Sequence, residues 1–214
     1  MRIERTGGSD LPEQGASAVR RAVLVEGDEL TRSCVAGVLA EDGFEVVGQA
    51  SDPWQALALT RELRPDVVVL GVGPEGAGSI RVLAEITGER IAPVVVLATD
   101  SSAEQIAAAR DAGALAYLTR SPTRAALVPA VEVAIARFAE TSRLIAEVAA
   151  AGERLESRKV IDRAKGLLMT HRRMSEPEAF RWIQRTAMDR RKTSAAIAAQ
   201  VVAELGEAPV RAAS

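Results

Sequence analysis

Five short apolar runs recur between residues 22 and 118, and each is parted from the next by a stretch with helical periodicity. They are Ala22–Val25, Phe44–Gln49, Asp66–Leu70, Pro93–Leu97 and Leu115–Leu118. Runs this short and this apolar suit strands buried on both faces. The stretches between them carry helix punctuation. The helix from Leu30 to Ala40 stops near Gly43, a C′ residue. Asp52 and Pro53 make an N-cap and first-turn pair for a helix to Leu63. Ile80 to Gly88 is helical, Ser101 to Glu104 caps a helix that ends before Gly113, and Arg124 opens another. Strands and helices in strict alternation predict a parallel sheet with helices on both faces and right-handed crossovers.

The second constraint is charge. The stretch Arg154–Lys192 holds twelve Lys or Arg against five Asp or Glu, a net of +7 in a chain whose total is −2. The rest of the chain therefore sums to −9. A basic block in an acidic protein points to a polyanionic partner. The block is also patterned as helices. Val160, Ala164, Leu167, Leu168 and His171 share one face, with Arg154, Arg158, Lys165 and Arg172 on an adjacent strip. Ser175, Pro177 and Glu178 form a capping box with proline in the first turn, so a second helix starts there. Its inward face is read as Ala179, Phe180, Ile183 and Ala187. Thr193 or Ser194 caps a third helix carrying Ile197, Val201 and Leu205. Aromatics are only 3% of the chain, so alanine must fill much of this packing.

Between the halves, Val131 to Met174 contains no proline. One long helix, or two nearly collinear ones, can run through it. Leu144, Val148, Ala151 and Leu155 follow a 4-3-4 spacing. That is either a two-heptad coiled-coil seam or a helix folding back on its own domain.

The basic stretch resembles the ANTAR family of RNA-binding antitermination domains. The residues that carry the resemblance are Ser157-Arg158, Ile161, Ala164 to Met169 (AKGLLM), Glu178-Ala179-Phe180, Ala187-Met188 and Ala198, within roughly Ile145 to Leu205. The resemblance implies a three-helix unit that binds paired RNA stem-loops and prevents transcription termination. The first half, from Arg21 to about Phe138, resembles the receiver domain of bacterial response regulators, a flavodoxin-like fold. Its carriers are Asp28-Glu29, Pro65 to Leu70, Ala92 to Leu97 and Asp111 to Leu118.

A working receiver has an acidic pair after strand one, a phosphate-accepting Asp after strand three, a hydroxyl after strand four and a Lys after strand five. The carboxylates hold Mg²⁺, the Asp attacks the phosphoryl group, and the cation and hydroxyl stabilise its oxygens. Here Asp28 alone sits in register, with Gly27 in its partner's place and Glu26 one residue off. Strand three runs into Gly71, strand four into Ala98, and the Lys position is Arg120. Asp66 lies at the other end of its strand, about 13–17 Å away. Aspartyl phosphorylation is therefore not expected. Tyr117 matches the family's switching aromatic and is expected to be locked by packing.

Other readings are blander. Gly71 to Gly78 reads as a loop and lacks the Lys and Ser or Thr of a phosphate-binding loop. Trp54 is expected at the edge of the core. The lone Cys34 reads as a small buried helix residue and suits a reducing cytoplasm. A single histidine, His171, gives a zinc site or triad nothing to build on, and no cofactor is implied. No membrane span or secretion signal is read.

The resulting organisation is a tail (1–20), a receiver-like domain (21–138), a helical connector (139–155), an ANTAR domain (156–206) and a second tail (207–214). Expected RNA contacts are Arg158, Lys165 and Arg172, with Arg173, Arg185, Arg190 and Arg191 as further anchors. Control is expected from a regulatory protein, a small ligand or homodimerisation, since the phosphate switch looks lost. The chain is not read as an enzyme. Two other classes remain open: a DNA-binding regulator, and a protein-interaction module built on the receiver-like domain.

Overall fold

The computed structural model describes residues 19–73 and 76–206. The chain divides after Thr141 into two compact units. The first contains β1 (Arg20–Val25), α1 (Glu29–Glu41), β2 (Phe44–Ala50), α2 (Pro53–Leu63), β3 (Val67–Val72), α3 (Ala77–Gly88), β4 (Val94–Ala98), α4 (Ala103–Asp111) and β5 (Ala116–Thr119). Then comes α5 (Arg124–Arg172), one uninterrupted helix of 49 residues, followed by α6 (Glu176–Asp189) and α7 (Ser194–Leu205). The expected tails lie outside the described residues, except for the exposed Val19 and for Arg20, which already pairs in β1.

All five strands are parallel, in the order β2-β1-β3-β4-β5. Their alternation sorts side chains onto two covered faces. Val23, Val25, Val68, Leu70, Val94 and Val96 face helices α2, α3 and α4 through Ala56, Leu57, Val82, Leu83, Ile86 and Ala109. Ala22, Leu24, Val67, Val69, Val95 and Leu97 face Val35 and Leu39 of α1 and Leu127, Val131 and Ala134 of α5. Both faces are dry, which explains strands without polar alternation.

The second unit has its own small core. Ala164 and Leu168 of α5, Ala179, Ile183 and Ala187 of α6, and Ile197, Ala198 and Val201 of α7 bury one another. Four of these eight are alanines, so the helices pack closely with little side-chain volume. The caps form as the sequence indicated. Thr193 caps α7, and Glu178 reaches back to accept from the Ser175 N–H at 2.8 Å and hydroxyl at 2.6 Å.

Several expectations are corrected. β3 extends through Gly71 and Val72, which pair with Leu97 and Ala98, and α3 begins at Ala77, so the glycine-rich loop is much shorter than Gly71 to Gly78. Continued pairing outweighs the poor strand propensity of glycine. Cys34 is exposed, because Thr31, Val35 and Leu39 take the buried stripe of α1. Trp54, in contrast, is half exposed at the start of α2, in keeping with an edge position, with the Arg81 guanidinium 5.6 Å over its ring. Phe180 is 41% exposed and does not belong to the core. Among the described residues, no helix is long and apolar enough to cross a membrane.

Candidate functional site

The carboxyl ends of the strands are where a doubly wound sheet places its site. Gly71 does lie there, and its missing side chain has a replacement. A Cβ on Gly71 would stand 2.7 Å from Glu26 Oε2 and 3.1 Å from the Val25 carbonyl. Glu26 turns inward from the end of β1 and is 1% exposed. Its Oε1 is 3.2 Å from Arg120 Nη2 and accepts the Asp28 N–H at 2.9 Å. Arg120 follows β5, anchored by its N–H to the Ala98 carbonyl at 2.7 Å. Glu26 Oε2 and Arg120 Nε have no hydrogen-bond partner among the described residues. A buried carboxylate and a partly buried guanidinium thus fill the space beside Gly71, between the ends of β1 and β5.

The remaining acidic residue is committed elsewhere. Asp28 Oδ2 accepts the Thr31 N–H at 2.8 Å and caps α1. Hydrogen bonding to Thr31 holds its carboxyl below the usual range. This donor set does not fit Mg²⁺: one carboxylate caps a helix, and the other already faces a guanidinium. At β4 the residue is Ala98, as read, and the Tyr117 hydroxyl donates to the Asp100 carbonyl at the neighbouring loop. Burial pushes that phenol's pKa up. Sequence reasoning set Glu26 aside for being one residue out of register. The signal it carried was joint: an acid gained beside the strand end just where Gly71 loses one, and an arginine at the lysine position.

The basic unit is different in character. Of the twelve cations between Arg154 and Lys192, only Lys159 and Lys165 are ion-paired among the described residues. Lys165 is held at 2.8 Å by both Asp162 and Glu176, and its side chain is only 17% exposed. The hydrogen bonds it donates to these two carboxylates, Asp162 first, raise its pKa. Lys165 therefore ties α5 to the start of α6, and its charge is shared with two carboxylates, unlike that of the arginines. Arg158, Arg172, Arg173, Arg185, Arg190 and Arg191 are all exposed. Arg172 stacks 4.7 Å over the ring of Trp182. Arg173 and Arg191 adopt positive φ, 55° and 51°, at the two turns that flank α6.

Comparison with known proteins matches both halves. Residues 22–132 match the response regulator receiver domain, and residues 149–202 match the ANTAR domain. The transcriptional regulatory protein PdtaR of Mycobacterium tuberculosis is 44% identical over 191 residues, 89% of this chain and 93% of that protein. The chain belongs to the ANTAR-domain response regulators. The receiver half has broader kin. The transcriptional regulatory protein LiaR of Bacillus subtilis is 31% identical over 116 residues, 53% of this chain and 55% of that protein. The signal receiver domain of NarL from Mycobacterium tuberculosis superposes with a TM-score of 0.51 at 26% identity, covering 54% of this chain and 95% of that one. Like other ANTAR response regulators, the chain joins a receiver fold to a helical output unit and acts in transcription regulation within two-component signalling.

Proposed function

We propose that this ANTAR response regulator binds paired stem-loops in nascent transcripts through its helical unit and thereby favours antitermination, under a receiver that is not switched by aspartyl phosphate. The observation that carries the RNA reading is the set of exposed cations on α5, α6 and the following turn that lack acidic partners among the described residues. A merely solvated charged face would balance them with carboxylates. Guanidinium groups fork onto phosphates and stack on splayed bases, both of which folded RNA offers.

Control then passes to other inputs. The seam residues Leu144, Val148 and Leu155 are 47%, 72% and 55% exposed, and Ala151 is exposed as well. This favours the seam over the folded-back helix. A second copy lying along it would set two basic units side by side, matching a two-hairpin target. A regulatory protein or small ligand acting at the receiver remains compatible with this arrangement.

The test is binding of an Arg158→Ala/Arg172→Ala variant to a two-stem-loop RNA across a salt series. Each lost phosphate contact reduces the slope of log affinity against log salt by about one. A reduction of about two is expected, and an unchanged slope rejects these positions. Tighter binding to duplex DNA than to hairpin RNA would replace the RNA reading with a DNA-binding one.

A further inference from the structure

One surface feature of the basic unit has no part in its core. Phe180 leaves the stripe defined by Ala179 and Ile183, because one residue along a helix turns the side chain by about 100°. Its ring, 41% exposed, faces an open groove of about 710 Å³ between α6 and the middle of α5. The groove is walled by Arg154, Arg158, Ile161 and Lys165. Asp162 and Glu153 also line it. Asp162 is neutralised by Lys165 at 2.8 Å, which leaves Glu153 as the one acid there without an ion pair among the described residues. The groove thus sets an aromatic face open to solvent beside two exposed guanidinium groups without acidic partners among the described residues.

We propose that this groove receives one unpaired loop base of the RNA, stacked on the Phe180 ring, with Arg154 and Arg158 holding the phosphates on either side. The inference rests on the RNA reading above and assigns part of the contact to a single aromatic. Stacking suits the chemistry: every base has a π face, and aromatic platforms with nearby arginines are how proteins hold splayed bases. The charge of the groove favours a nucleotide over an apolar helix as occupant. Trp182, the other aromatic of the unit, is already covered on one face by Arg172.

The test uses the full chain with Phe180→Leu and Phe180→Tyr variants. The probes are a pool of paired-hairpin RNAs with randomised loops and a blunt RNA duplex of equal length. Helicity and melting temperature are recorded for each variant. Phe180→Leu should weaken binding to the hairpin pool about tenfold or more, while leaving duplex binding and the salt slope unchanged. Phe180→Tyr should retain hairpin affinity. Equal hairpin affinity for wild type and Phe180→Leu, alongside loss in the Arg158→Ala/Arg172→Ala variant, overturns the stacking and leaves RNA binding intact. Equal loss on hairpin and duplex also overturns it, since a base platform discriminates between them. A shift of Phe180→Leu to monomer with unchanged RNA affinity gives the groove to a second copy instead. Failure of the wild type to retain the hairpin pool at all overturns both readings.

Discussion

Glu26 has the most consequential environment of any single residue in the chain. Its carboxylate is buried against Gly71 and neutralised by Arg120, whose side chain is still 28% exposed. Removing one member of a buried pair leaves the other charge uncompensated. Glu26→Gln should therefore destabilise the receiver unit by about 2–3 kcal/mol, less than a fully enclosed pair because Arg120 reaches some solvent. Glu26→Gln combined with Arg120→Met should recover part of that loss, as a thermal-melt double-mutant cycle would show. Additive losses would mean the two side chains do not interact. Gly71→Asp should not create a phosphorylation site, since its Cβ would meet Glu26 Oε2 at 2.7 Å and add a second buried negative charge. Incubation with a small phosphodonor and mass measurement would check this.

At the level of elements, the start of α6 is held by Glu178, whose hydrogen bonds from Ser175 hold its carboxyl below the usual range. A carboxylate with a depressed folded-state pKa stabilises above its unfolded value and loses that contribution as pH falls through the folded one. Asp162 is lowered in the same way, first by its hydrogen bond with Lys165. The melting temperature of the helical unit should thus fall as pH is taken below about 4. Glu178→Gln should shrink the difference between pH 7 and pH 3 melts. An undiminished difference would assign the acid sensitivity elsewhere.

The elements were also the most legible part of the sequence. Unbroken apolar runs gave five strands in the right places, and Asp52-Pro53 placed the first residue of α2 where it is observed. The run through Leu70 fixed the register that puts Gly71 at the strand end. The site was less legible, because its chemistry depends on where side chains turn. Glu26 is off register in the sequence but fills the empty position in space. Lys165 sits on the same helical strip as Arg158 and Arg172 yet is captured by Asp162 and Glu176, one of them eleven residues away on another helix. Phe180 directly follows the buried Ala179 in sequence and still faces out. Helical periodicity assigns a stripe, and the residues at its margins are decided by what packs across from them.

For the molecule as a whole, the exposed seam on α5 carries the prediction. Leu144→Asp/Val148→Asp should leave both units folded and turn any dimer into a monomer in sedimentation, because like charges facing each other across a seam oppose association. If the wild type sediments as a monomer at all concentrations, the seam has another role. RNA affinity of the variant should drop for a two-hairpin target much more than for a single hairpin, since linked units gain from effective concentration.

The ion pair that occupies the strand ends has a temporal consequence. An aspartyl phosphate is a timer: it is installed, it hydrolyses, and the signal lapses. Under the function proposed above, a regulator with Glu26 and Arg120 in that space carries no such clock, and its activity follows how many copies the cell makes and how fast it degrades them. If the proposed pairing along α5 holds, that dependence is steeper than linear, and synthesis itself becomes the stimulus.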